Sequence, residues 1–94
     1  TRSLALEVAP HEVLVNAICP GPIPTALGEQ GWKEGAAVEG VPLDRIMARV
    51  GARSPLRRLG TVDQVAKMAL FIASDDCDFT TGSAFNVDGG IVMT

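Results

Sequence analysis

The stretch Val13-Leu14-Val15-Asn16-Ala17-Ile18-Cys19-Pro20-Gly21-Pro22-Ile23-Pro24-Thr25 decides how the chain is read. Its first seven residues form a nearly continuous apolar run, rich in β-branched side chains and without helical period. That pattern predicts a strand over 13–19 covered on both faces, and such strands belong to parallel sheets. Pro20, Pro22 and Pro24 follow. Each removes a backbone donor and fixes φ, so the chain must leave the strand in a stiff bend rather than a helix. In open α/β sheets ligands bind just beyond the C-terminal ends of strands, which is where this bend falls.

Before the strand, Leu4, Ala5 and Val8 share one face of a helix over residues 1–9, ended by Pro10. After the bend, residues 26–41 carry Gly28, Gly31, Gly35 and Gly40 among polar residues, and are expected to form a loose connection holding one short helical piece. Leu43, Ile46, Met47 and Val50 then recur at helical spacing behind Pro42, which suits a first helical turn. An arginine-bearing loop over 51–60 leads to Thr61, with Gln64 three residues on, a capping box that opens a helix over about 62–74. Ser83 to Asp88 reads as a last strand closed by Gly89-Gly90. Helix, strand, long helical crossover, strand implies two parallel strands joined by a right-handed connection. Two strands make no stable sheet. The expected fold is therefore α/β, the C-terminal part of a larger doubly wound parallel sheet that needs further strands from outside this segment, whether from the same protein or from another chain.

Composition sets outer bounds. The chain has 94 residues, 47% of them hydrophobic, with eight Lys and Arg against eleven Asp and Glu and a net charge of −3. That is one domain at most, with no basic footprint for nucleic acid. No apolar run approaches the roughly 20 residues that cross a bilayer, so no membrane partner is expected. The chain opens at Thr1 inside an amphipathic stretch without an initiator Met or an export leader, which predicts entry in mid-fold and cytoplasmic residence. Cys19 and Cys77 form neither a disulfide framework nor a zinc motif, and Cys19 is expected as a buried strand thiol. Asp76-x-Asp78-x-Thr80 begins like a calcium loop, but Thr81 stands where Gly is needed and Val87 where Glu is needed, so no metal is expected.

Val15-Asn16-Ala17-Ile18-Cys19-Pro20-Gly21-Pro22-Ile23-Pro24-Thr25 resembles the V-N-x-x-x-P-G-x-x-x-T motif of the classical short-chain dehydrogenase/reductase family. Leu4 to Ala9 is similar to the end of that family's helix after its catalytic Tyr and Lys. Arg58-Leu59-Gly60 matches the approach to its next long helix, and Thr81-Gly82 with Val87-Asp88-Gly89-Gly90 matches its terminal T-G-x-x-x-x-V-D-G-G. Ordered motifs thus cover nearly the whole chain. The resemblance implies a Rossmann-like oxidoreductase using NAD or NADP to interconvert an alcohol and a ketone or aldehyde, with Tyr, aided by Lys, exchanging the hydroxyl proton. The family's glycine-rich cofactor turn, its active-site Ser and its Tyr-x-x-x-Lys pair have no counterpart here. With no tyrosine and only Lys33 and Lys67 as lysines, this segment is expected to hold no catalytic residue and to be inactive alone. Its implied partners are the N-terminal half of the same fold, a small alcohol or carbonyl substrate and further copies of itself. A non-catalytic split or degenerate module, acting as scaffold or strand-sharing dimer, stands as the alternative.

By the same resemblance, Pro20, Gly21, the Ile23 backbone and the Thr25 hydroxyl bind cofactor, holding the nicotinamide carboxamide. Residues 26–55 correspond to the variable substrate lid, in which Leu27, Trp32 and Met47 are pocket candidates, although the helical spacing of Met47 fits packing equally well. Asn16, inside an apolar strand, needs hydrogen-bond partners for its amide. Gly28, Gly31 and Gly35 read as loop flexibility and not as a phosphate loop. Arg45, Arg49, Arg53, Arg57 and Arg58 read as a solvated basic face or a contact for an acidic group, and His11 as a surface residue. The apolar end Ile91-Val92-Met93 predicts burial against a symmetry mate, and the resemblance implies that the last strand and the helix over 62–74, with Met68, Phe71 and Ile72, pack on their copies across two-fold axes in a homotetramer, or at least a dimer.

Overall fold

The computed structural model describes residues 1–93. Helix α1 (Arg2–Val8) runs into a single 3-10 turn at Ala9–His11 that contains Pro10, and Glu12 at φ 59° reverses the chain. Strand β1 (Ala17–Pro20) is followed by α2 (Ala26–Glu39), α3 (Leu43–Gly51), α4 (Val62–Ala73), a 3-10 turn at Asp75–Cys77 and strand β2 (Ala84–Val87). The two strands pair in parallel, Ala17 opposite Ala84 and Pro20 opposite Val87. The predicted order and strand direction therefore hold, and α4 covers the pair. The capping box is complete: Thr61 Oγ1 accepts from Gln64 N at 3.1 Å, and Gln64 Oε1 accepts from Thr61 N at 3.0 Å.

Three expectations are corrected. The β1 ladder is shorter than 13–19 and includes Pro20. Upstream of Ala17 the partners come from the loop before β2, where Thr81 Oγ1 accepts from Val15 N and Gly82 N donates to Val15 O. Residues 26–39 are one continuous helix and not a loose connection. Each internal glycine costs a helix about 1 kcal/mol relative to alanine, and here that cost is offset by the Thr25 cap, by Gly40 at φ 70° as C-cap, and by packing on α3. Cys19 is exposed and not buried, because full cover of β1 needs neighbours beyond β2. Asn16 finds its partners, with Nδ2 donating to Thr80 O at 2.9 Å and Oδ1 accepting from Ser83 N at 3.1 Å.

Little is buried. Among the described residues Ala5, Ala36, Ile46 and Cys77 are the buried apolar ones, while Leu4, Leu6, Leu70 and Phe71 stay exposed. The described chain measures 56 × 22 × 21 Å, and α2 and α3 pack on each other but on no other helix or strand. They form a hairpin standing off the strand pair. No helix among the described residues is long and apolar enough to cross a membrane.

Candidate functional site

The bend from Gly21 to Thr25 connects β1 to this hairpin and is held by groups distant in sequence. Gly21 N extends the ladder by donating to Val87 O at 3.0 Å. A Cβ placed on Gly21 would stand 2.7 Å from Asp88 Cβ and 2.8 Å from Asp88 Cα. The glycine is required by the crossing of the two strand ends. Asp88 is itself fixed, its two carboxylate oxygens accepting from Gly90 N and Val92 N at 2.9 and 3.1 Å. One residue further, Pro22 O accepts from Gly60 N at 3.3 Å.

Thr25 ends the bend as the N-cap of α2. Its Oγ1 accepts from Gly28 N at 3.1 Å and its carbonyl accepts from Glu29 N at 2.8 Å. Gly28 allows this tight start, since a Cβ there would lie 3.3 Å from both Ile23 O and Thr25 Oγ1. The Thr25 hydroxyl proton is free to donate, because the cap uses only an oxygen lone pair. Among the described residues neither Ile23 N–H nor Ile23 C=O has a hydrogen-bond partner. At the C-terminal end of a parallel strand the chain thus offers a donor N–H, an acceptor C=O and a donor hydroxyl within three residues, on backbone stiffened by Pro22 and Pro24. Such a set complements a primary amide, which carries both an acceptor oxygen and donor hydrogens.

Pro20, Gly21, Ile23 and Thr25 therefore lie together at one strand end. The lid candidates do not form one group. Trp32 is half-buried on the α2 stripe that contains buried Ala36, whereas Met47 is half-buried on α3 one position round from buried Ile46. Leu27 points away and is 87% exposed. An open cleft of about 840 Å³, lined by Leu56, Arg58, Gln64, Asn86 and Met93 among others, contains none of these residues and reaches the bend through its anchors Gly60, Val87 and Asp88. The arginines do not converge on one point either: Arg49 pairs with Glu39 at 3.0 Å, while Arg58 Nη1 reaches Gln64 Oε1 at 3.4 Å. His11 is exposed. Gly60, Asp88 and Ser54, which hold the bend or the loop behind it, escape sequence reasoning; the Arg58-Leu59-Gly60 and Val87-Asp88-Gly89-Gly90 motifs are the only signal that marks two of them.

Comparison with known proteins gives this arrangement its relatives. The family model described as enoyl-(acyl carrier protein) reductase matches residues 1–92. The chain is 38% identical over 91 residues to the D-beta-hydroxybutyrate dehydrogenase of Rhizobium meliloti, covering 96% of this chain and 35% of that protein. Among solved structures, a short chain dehydrogenase family protein from Francisella tularensis superposes with a TM-score of 0.94 at 32% identity, covering 97% of this chain and 38% of that one. L-sorbose reductase from Gluconobacter frateurii, solved with NADPH and L-sorbose, gives a TM-score of 0.90 at 30% identity over 99% of this chain and 36% of its own. The chain spans about a third of the length of the curated relatives it matches. Its helix, parallel strand pair and helical crossover are the C-terminal part of a Rossmann-like doubly wound sheet, and the chain belongs to the short-chain dehydrogenase/reductase family.

Proposed function

We propose that residues 1–94 are the C-terminal portion of one Rossmann-fold oxidoreductase domain that uses NAD or NADP to interconvert an alcohol and a ketone or aldehyde in the cytoplasm. This portion contributes a nicotinamide clamp at Pro20, Gly21, Ile23 and Thr25, a substrate lid over residues 26–55 and an oligomer surface. The N-terminal half of the same fold contributes the glycine-rich cofactor turn and the Tyr and Lys that move the hydroxyl proton. One observation carries the reading: the unpaired Ile23 N–H and C=O stand beside the Thr25 hydroxyl on a rigid bend at a strand's C-terminal end. That donor and acceptor set fits the nicotinamide carboxamide, and the NADPH in L-sorbose reductase supports the cofactor class. When bound, the cofactor supplies the ring carbon that takes or gives hydride. Ile23 and Thr25 would fix the rotation of that ring by holding its amide, and Pro22 and Pro24 keep their geometry from relaxing when the ring leaves.

Thr25→Val tests the clamp in the full-length protein. It removes one hydroxyl bond worth about 0.5–1.5 kcal/mol, so cofactor affinity should fall about twofold to tenfold. Thr25→Asp keeps the cap acceptor for Gly28 N but loses the hydroxyl donor, and should share the defect; Thr25→Ser should not. An unaltered cofactor constant with unaltered turnover in Thr25→Val would refute the clamp. The 94-residue chain alone should oxidise no cofactor in the presence of carbonyl substrates, and clear turnover would refute the assignment of Tyr and Lys to the N-terminal half.

Assembly as a homotetramer, or at least a dimer, is the further part of the proposal. Phe71 is 46% and Met93 78% exposed in the single chain, which supports a surface awaiting cover. Light scattering of the full-length protein should give a multiple of the protomer mass. A monomer at micromolar concentration would refute it.

A further inference from the structure

The bend is gripped on two sides, and the second grip comes from the loop by which the chain returns from the lid. That loop is rigid in its own right. Ser54 is 3% exposed, and its Oγ accepts from Arg58 N at 3.3 Å and lies 3.1 and 3.2 Å from the carbonyls of Arg58 and Gly51, to one of which it donates. Leu56 N donates to Gly89 O at 3.2 Å, tying the loop to the end of β2. Thr61 then starts α4 with its capping box. Gly60 sits between these anchors and has little freedom to retreat.

Gly60 does not have positive φ, unlike Gly40, Gly82, Gly89 and Gly90, so its backbone conformation does not demand glycine. Its neighbour does. A Cβ on Gly60 would stand 2.7 Å from Ile23 Cδ1, and the Gly60 N–H already holds Pro22 O. We propose that Gly60 is a positioning residue for the cofactor clamp: its N–H holds Pro22 O, and the space left by its missing side chain receives the tip of Ile23, so the return arm of the lid sets where the Ile23 N–H and C=O stand. The inference rests on the clamp reading above.

The test uses the full-length protein and two probes, the reduced nicotinamide cofactor and ADP-ribose, which lacks the nicotinamide. Gly60→Ala should weaken binding of the reduced cofactor about threefold to tenfold and lower kcat while ADP-ribose affinity holds. Adding Ile23→Val to Gly60→Ala removes the colliding methyl and should restore most of both losses. Unchanged cofactor affinity and kcat in Gly60→Ala, parallel weakening of ADP-ribose, or no recovery in the double variant would each overturn the proposal. If Gly60→Ala does not fold, the double variant should fold and bind, and its failure overturns the proposal equally. The Thr25 series separates the two readings. A Thr25→Val defect without a Gly60→Ala defect sinks only the role of Gly60, whereas no Thr25→Val defect sinks the clamp itself.

Discussion

The bend at Gly21–Thr25 and the hairpin of α2 and α3 adjoin in sequence and are built on opposite principles. Every anchor of the bend short of Thr25 comes from far along the chain, from Gly60, Val87 and Asp88. The hairpin is held by its own members: the Thr25 cap, the Gly40 stop, packing between its helices and the Glu39–Arg49 pair. A segment fixed from outside holds a ligand group in one place. A segment fixed from within and at its two ends keeps its own shape, and among the described residues the hairpin has no contact with the strands.

Substitutions divide along the same line. The largest effect belongs to Gly21→Ala, whose methyl would drive into Asp88 backbone and not into a flexible tip. It should destabilise by about 2–3 kcal/mol, read as a lower urea midpoint; a normal midpoint would mean that the strand ends are not locked. Asn16→Leu should follow at about 1–3 kcal/mol, because Thr80 O and Ser83 N lose the side chain that satisfies them. In the hairpin the sign reverses. Gly31→Ala and Gly35→Ala meet nothing within 4 Å, so each should stabilise α2 by up to about 1 kcal/mol, whereas Gly28→Ala should not. A drop in melting temperature for Gly31→Ala would place a contact on that helix that the fold does not contain. Smallest is Glu39→Gln: both partners of its ion pair are about half exposed, so the loss should stay under about 1 kcal/mol and vanish in high salt.

Legibility follows the range of the interactions. The Thr61–Gln64 box, the turn at Pro10 and the partnering of Asn16 are local rules or obligatory hydrogen bonds, and residue identity is enough to state them. Helix α2 was hidden because Gly28, Gly31 and Gly35 argue against a helix one residue at a time, while the cap and the packing on α3 act on the whole segment. The exposure of Cys19 depends on which strands flank β1, and that is a property of chain beyond these residues. The group that Gly21 approaches closely is Asp88, 67 positions further on, and no residue near Gly21 signals it. The grouping of Pro20, Gly21, Ile23 and Thr25 was readable because they fall within six positions; the bond from Gly60 N to Pro22 O was not.

The Asn16 amide closes a contact between residues 67 apart, and the ladder after it spans the same distance. Loop closure over such a span costs chain entropy that the hairpin, whose ion pair joins residues ten apart, largely avoids. During synthesis the hairpin has all its parts long before Val87 leaves the ribosome. Pulse-labelled hydrogen exchange should accordingly protect α2 amides before those of β1, and the reverse order would contradict this sequence of events. The hairpin would then acquire shape before the bend, since the strand end from which the bend hangs acquires its partner only after Val87 has been made.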